Sequence, residues 1–228
     1  KMNDTTRQKI PFRTQAAVYT IAVCTQGTTA LMGVIVPLWV FQLSASPFMI
    51  GAVLSASTVL PLLFSIHGGA LIDRLGAKRD LMFFAVIMAV VPIGYPLAPW
   101  LPAVVVLQLI FGLASTMGWI GAQAMIGQVM GSDPVYAGRL SFAVRIGVLS
   151  GPPLAGAAWD FIGPWGAFLF AASFGCLMMI AVANVPNTRE QQIGEEKKTT
   201  FRELVPNWQD YVGAFALLAI PAVLMIIL

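Results

Sequence analysis

Charged residues are scarce in this sequence of 228 residues, of which Asp, Glu, Lys and Arg make up 10%. A soluble domain carries about 25% charged residues, so this chain has too few to cover a water-facing surface. The segments 14–72 and 81–132 contain none at all. Because a membrane span needs about 20 mainly apolar residues, the sequence predicts an all-α polytopic membrane protein and excludes a soluble globular enzyme.

Cysteine and histidine are almost as rare. The two cysteines, Cys24 and Cys176, lie in apolar runs without CxxC spacing, so both are interpreted as buried thiols and not as a disulfide or a metal site. The single histidine, His67, has the titration range needed for proton coupling. Beside Gly68 and Gly69 a structural role is the more common one. The sequence contains no nucleophile–base pair or phosphate-binding loop, and we expect neither an enzyme nor a cofactor.

Six apolar segments are long enough to be complete membrane spans, and no acidic residue is assigned to their interiors. Their predicted limits are 16–40, 48–72, 80–99, 101–129, 138–160 and 163–184. The predicted organisation is a cytoplasmic N-terminus (1–15), a six-helix bundle (16–184), a cytoplasmic linker (185–208) and the start of a seventh helix (209–228). Because this last run stays apolar to its end, we expect it to open an incomplete second bundle.

All 13 Lys and Arg residues fall within 1–13, 74–79, 139–145 and 189–202. With six spans, these are the N-terminus and the loops after spans two, four and six, which share one side of the membrane. The opposite loops carry no Lys or Arg. The positive-inside rule places the basic side in the cytoplasm, and a bacterial inner membrane is the expected location. The net charge of +3 is therefore assigned to topology and not to nucleic-acid binding.

Five residues of the first half recur in the second half at one constant spacing. Pro47, Gly51, Gly69, Asp73 and Gly76 correspond to Pro134, Gly138, Gly156, Asp160 and Gly163. The repeating unit contains three spans, an odd number, so its two copies (about 16–99 and 101–184) are predicted to be inverted. Inverted three-span repeats are typical of transporters, with the substrate path near the midplane between them.

A first motif lies at the cytoplasmic end of span two and consists of Gly69, Asp73, Arg74, Gly76, Lys78 and Arg79. Gly69 permits close helix approach and Gly76 permits a tight turn. Asp73 places a carboxylate where a helix N-terminus or an arginine can hold it. The basic residues suit cytoplasm and anionic lipid. The alternative is a charged loop that only controls topology.

A second motif lies in span five and consists of Gly147, Gly151, Pro152 and Gly156, with Pro153 beside them. The two first glycines form a small-xxx-small face suited to tight helix packing. The prolines remove backbone donors and favour a bend. We interpret this segment as a hinge or seal, with ordinary helix packing as the alternative.

Together these two motifs resemble the major facilitator superfamily of secondary transporters. The first is similar to that family's loop pattern GxLxDRxGxKR, and the second to its span-five pattern GxxxGPxxGG, with Ala155 at one glycine position. The resemblance implies a two-bundle transporter that works by alternating access and is exporter- or antiporter-like. It implies that the loop motif braces the cytoplasmic side as a conformational switch, and that the span-five motif helps to seal the bundle interface.

Candidate cavity residues follow helical spacing on two spans. Span four carries Gln108, Gly112, Ser115, Trp119 and Gln123, and span one carries Gln26, Thr29, Gly33 and Pro37. Polar faces of membrane helices turn away from lipid, so these faces predict either an uncharged substrate-lining surface or hydrogen bonding between helices. Arg145, about 9 Å deeper than Arg139 along a helix, either attracts an anionic group or snorkels to the inner face.

Transport of a small organic or amphipathic solute by efflux or antiport is the leading prediction. The expected partners are the lipid bilayer, the solute and a second six-helix bundle. That bundle would come from the rest of the chain, a companion chain or a homodimer. The alternative function is a non-transporting accessory or scaffold subunit of a larger membrane assembly. A seven-helix receptor is disfavoured by the predicted cytoplasmic N-terminus.

Overall fold

The computed structural model describes residues 10–130 and 134–185, with only the backbone for 65–75. This part of the chain forms five long helices. They are α1 (Phe12–Gln42), α2 (Pro47–Leu75), α3 (Ala77–Leu97), α4 (Leu101–Met130) and α5 (Pro134–Ala183). All five are long and apolar enough to cross a membrane, which confirms the predicted all-helical multi-span architecture. The predicted N-terminal segment before Ile10, the linker from residue 186 and the seventh helix lie outside the described residues.

The fifth helix covers two of the predicted spans, 138–160 and 163–184. It is interrupted at Gly163, whose φ of 77° and ψ of −178° are not helical. Only glycine adopts such a backbone conformation without strain. Pro164 then suits the first turn of the second segment, where its missing N–H is not needed. We refer to residues 134–162 and 164–183 as the first and second segments of α5.

Helices α2 and α3 are separated by one residue, Gly76. Its φ of 84° and ψ of 133° break the helical path, as expected of a turn glycine. Among the described residues, Gly76 and Gly163 are the two glycines with positive φ. They are also one of the residue pairs in the sequence repeat, so the two halves change direction at corresponding positions.

The core lies between α1, α3, α4 and α5, whereas α2 is peripheral. Within their most apolar stretches, 56% of α1 and of α3 is buried but only 11% of α2. One aromatic cluster fills the core near the ends of α1 and α3. Phe168 stacks on Tyr95 with centroids 5.1 Å apart, and it meets Trp39 edge-on at 5.9 Å. The apolar outer face of α2 is left for lipid or for a further helix.

Glycines set the closest helix approaches. A Cβ atom added at Gly175 of α5 would collide with the backbone of Met88 and Ala89 in α3, and one added at Gly112 of α4 would collide with the carbonyl of Ser57 in α2. Helices in lipid associate through such small residues, because apolar burial alone does not distinguish a neighbouring helix from lipid.

One detail of the sequence interpretation is wrong. Cys24 is buried but Cys176 is exposed on the surface of the helices, because it lies on the outer face of the second segment of α5. An acidic residue at the edge of span three is also buried. Helix α3 starts directly after the turn at Gly76, so that Asp80 lies in its first turn. The Asp80 side chain is 2% exposed there.

Candidate functional site

A cleft of about 420 Å³ opens between α1, α2 and α4. Its volume lies within the range of small-molecule sites. Twelve described residues line it, half of them with a hydroxyl or amide side chain: Thr29, Met32, Gly33, Leu54, Ser57, Thr58, Pro61, Gln108, Phe111, Gly112, Ser115 and Thr116. None of these twelve is charged, so the cleft suits a neutral or weakly polar guest.

The cleft brings together part of the predicted polar surface. Thr29 of α1 and Gln108 and Ser115 of α4 all line it. The other predicted cavity residues lie elsewhere. Gln26 is half-buried on α1, Trp119 packs half-buried against the core, and Gln123 and Arg145 are exposed on the helix surfaces. The polar face of α4 therefore meets the cleft only along its first half, where α2 lies opposite.

Helix α2 supplies polar residues that helical spacing on α1 and α4 did not indicate. Ser57 and Thr58 line the cleft together with Pro61. Proline lacks the N–H that would bond the carbonyl four residues earlier, which here belongs to Ser57. This carbonyl points at Gly112 of α4, where a side chain would collide with it. A Cα–H···O contact is the weak bond that such geometry allows. The run of hydroxyls before Pro61 was the available sequence signal.

The side chain of Gln108 is held by a residue behind the cleft. The Tyr95 hydroxyl of α3 donates to Gln108 Oε1 over 3.0 Å, and Tyr95 is fully buried. Because one acceptor site of the amide is taken by tyrosine, its nitrogen is the group left to donate to other partners. Sequence spacing did not identify Tyr95, since its partner lies on another helix.

The loop motif is described in part. Gly69, Asp73 and Arg74 lie in the last turns of α2, where only the backbone is described. Gly76 forms the turn, and Arg79 is exposed.

Lys78 has a role that the sequence did not predict. Its ammonium donates to the carbonyl oxygens of Ala183, over 3.2 Å, and of Val185. A lysine at this position satisfies carbonyls that the end of α5 leaves unpaired and complements the helix dipole.

The span-five motif packs its first two glycines against α1. A Cβ added at Gly147 would lie 3.2 Å from the carbonyl oxygen of Val23, and one added at Gly151 would lie 2.8 Å from the Cβ of Ala30. Gly156 is different, because a Cβ there meets nothing within 4 Å. Pro152 is exposed, and among the described residues of α5 only Gly163 leaves helical dihedrals. The prolines therefore do not break the helix.

Asp80 is the buried acid nearest to the loop motif. Its Oδ2 has no hydrogen-bond partner in the described part of the chain. His67, the other titratable group that the sequence singled out, lies where side chains are not described.

Comparison with known proteins supports the overall interpretation. The family model described as Major Facilitator Superfamily matches residues 18–228, which is nearly the whole chain. A search of curated proteins finds no match.

Proposed function

The chain belongs to the major facilitator superfamily, whose members are membrane-bound secondary transporters and not enzymes, and we propose that it exports a small organic or amphipathic solute by alternating access. The observation that carries this proposal is the cleft between α1, α2 and α4. It is uncharged and partly polar, and α2 beside it is the least buried helix. Such a cleft can bind a neutral solute while a facing bundle covers it.

The proposed architecture is six helices arranged as two inverted three-helix repeats. Three observations support it. Gly76 and Gly163 share positive φ, and Pro47 and Pro134 each begin a helix. The third is a contact between equivalent positions, because Gly175 of the second repeat lies against Met88, its counterpart in the first. A two-fold axis between the copies brings such equivalent residues together.

The other half of the transport path is proposed to be a second bundle that begins in residues 209–228. It is completed by the rest of the chain, a companion chain or a second copy. The apolar, poorly buried face of α2, which includes Val59, Leu62 and Phe64, is suited to contact with a further helix. We propose a bacterial inner membrane as its location, with the N-terminus in the cytoplasm, because all Lys and Arg residues fall in the N-terminus and in the loops after predicted spans two, four and six.

The two motifs take the conformational roles in this proposal. Gly69, Asp73, Arg74, Gly76, Lys78 and Arg79 brace the cytoplasmic side against the second bundle. Gly147, Gly151, Pro152 and Gly156 seal the interface between bundles. The close contacts of Gly147 and Gly151 with α1 hold this segment in place within the described bundle, while Pro152 is exposed and is the motif residue available to a second bundle.

Flux measurement tests the proposal. The full polypeptide is reconstituted in proteoliposomes, and movement of a panel of small neutral and amphipathic solutes is followed under an imposed pH gradient. Export is expected for the unmodified protein, with loss of flux in Asp73→Asn and an unchanged melting temperature. Absence of flux for every solute, with stable co-purification of other membrane subunits, would support the accessory-subunit alternative instead.

A further inference from the structure

Most hydroxyl groups of the cleft already donate hydrogen bonds within their own helices. Five residues with hydroxyl side chains line it, and four of them donate to carbonyls of their own helix. The bonds are Thr29 Oγ1 to Thr25 O (2.9 Å), Ser57 Oγ to Leu54 O (2.7 Å), Thr58 Oγ1 to Ser55 O (2.8 Å) and Ser115 Oγ to Gly112 O (3.1 Å). This back-bonding is common for Ser and Thr in membrane helices, where water is not available to pair the hydroxyl.

A hydroxyl has a single hydrogen and two lone pairs. Once the hydrogen is donated to the helix, only lone pairs face a guest. Because the four residues come from α1, α2 and α4, a guest in the cleft meets hydrogen-bond acceptors on all three walls. The donors on these walls are far fewer, namely the Gln108 amide nitrogen, which is turned by Tyr95, and the Thr116 hydroxyl.

The lack of charge in the cleft lining argues against a cationic guest. None of the described residues that line it is acidic, so a cation would be desolvated without a counter-charge, which is costly. A neutral guest with several O–H or N–H groups has no such cost. Met32, Leu54 and Phe111 complete the lining and can cover the carbon skeleton of that guest.

We propose that this cleft selects neutral solutes that carry several hydrogen-bond donors, such as polyhydroxylated or primary-amide compounds, against solutes of similar size that only accept. The inference rests on the proposed function, in which the cleft binds the transported solute. An acceptor-only solute would leave lone pairs facing lone pairs, and an unsatisfied buried polar group weakens binding by about tenfold or more.

Two pairs of probes of similar size test the preference: cyclohexane-1,4-diol with cyclohexane-1,4-dione, and benzamide with acetophenone. The second compound of each pair, called capped, keeps an acceptor oxygen and lacks the O–H or N–H groups of the first, called uncapped. Binding to the full polypeptide in nanodiscs is measured by calorimetry, and flux is measured in proteoliposomes. We expect at least one uncapped compound to bind about tenfold or more tightly than its capped partner. Equal or tighter binding of the capped compounds, or no binding of either uncapped compound, would overturn the inference.

The two measurements separate this inference from the proposed function. Selective binding without flux of any solute leaves the donor preference standing and contradicts transport. Flux of capped and uncapped compounds at equal rates supports transport and contradicts the donor preference.

A valine substitution of the same shape locates the preference in the cleft. Thr29→Val removes one acceptor from the wall, and we expect the ratio of uncapped to capped affinity to fall severalfold. Thr28→Val is the matched control, because Thr28 is buried on the same helix and donates in the same way to Cys24 O over 2.7 Å, yet does not line the cleft. A fall of the same size in both variants would assign the preference to helix α1 as a whole and refute its placement in the cleft wall.

Discussion

Two helix contacts, α1 with α5 and α2 with α4, involve corresponding helices in the proposed repeat, but they are built differently. A Cβ atom added at either of two glycines of α5 would lie too close to side chains and a carbonyl of α1, by an amount that a shift of the helices can relieve. A single glycine of α4 meets a backbone carbonyl of α2 that Pro61 leaves without its helical partner. The α1–α5 contact joins two well-buried helices, whereas the α2–α4 contact borders the polar cleft. Close approach therefore joins two buried helices in one contact and borders a polar cleft in the other.

The largest effect is expected from Gly112→Ala. Its Cβ would collide with the Ser57 carbonyl, and backbone cannot move aside as a side chain can. We expect α2 to separate from α4 at a cost of about 3 kcal/mol, seen as a lower melting temperature and a lower yield of monodisperse protein. Gly33→Ala is the control, because a Cβ there meets nothing within 4 Å. Equal stability of the two variants would show that the α2–α4 contact is looser than the distances indicate.

A smaller loss is expected from Gly151→Ala in the α1–α5 contact. The new methyl group would lie 2.8 Å from the Cβ of Ala30, which requires a shift of the helices and costs about 1–2 kcal/mol. Adding Ala30→Gly removes the opposing methyl group and is expected to restore most of the stability in a double-mutant cycle. Gly156→Ala, in the same motif but without neighbours within 4 Å, is expected to be neutral. A destabilised Gly156→Ala would contradict this ordering.

Tyr95→Phe tests the cleft that the α2–α4 contact borders. The substitution removes the buried hydrogen bond to Gln108 and keeps the ring that stacks on Phe168. We expect a stability loss of about 1 kcal/mol and a larger relative change in solute affinity, because the amide is free to turn. Unfolding curves and calorimetric titrations measure the two effects separately. Unchanged affinity would mean that the amide orientation does not depend on Tyr95.

The smallest effect is expected where the start of α3 meets the end of α5, away from the close contacts at Gly112 and Gly151. Lys78→Gln weakens the bonds to the carbonyls of Ala183 and Val185 and removes the charge that complements the α5 dipole. We expect a loss of about 0.5 kcal/mol, visible as faster amide exchange in the last turn of α5. Arg79→Gln is the matched control, because Arg79 is exposed one residue further along. Equal exchange in both variants would count against the bond to α5.

The helices themselves were predictable because their ends carry local signals. Pro47 and Pro134 begin helices, and Gly76 and Gly163 interrupt them with positive φ. The start of α3 was placed too late, because Asp80 was taken as the charged end of a span. In the structure the turn at Gly76 starts the helix before it, and the acid is carried into the buried face.

The cleft was predictable only in outline. Polarity on α4 indicated Gln108 and Ser115, but the same periodicity continued to Trp119 and Gln123, which lie outside the cleft lining. Helical spacing describes a face and does not show which part of that face is covered by a neighbour. The bond of Tyr95 to Gln108 and the position of the α2 hydroxyls in the cleft depend on how the helices pack, which no spacing along a single helix contains.

The hydrogen bonds from Lys78 to Ala183 and Val185 link the start of α3 to the point where the chain leaves α5. We expect a force on the segment after Val185 to strain these hydrogen bonds and the adjacent turn at Gly76 first, and the packing of α5 on α1 only afterwards. The start of α3 and the end of α5 are thus directly coupled at one end of the described bundle. If the chain is divided a few residues beyond Val185 and expressed as two pieces, the first piece keeps both partners of these hydrogen bonds.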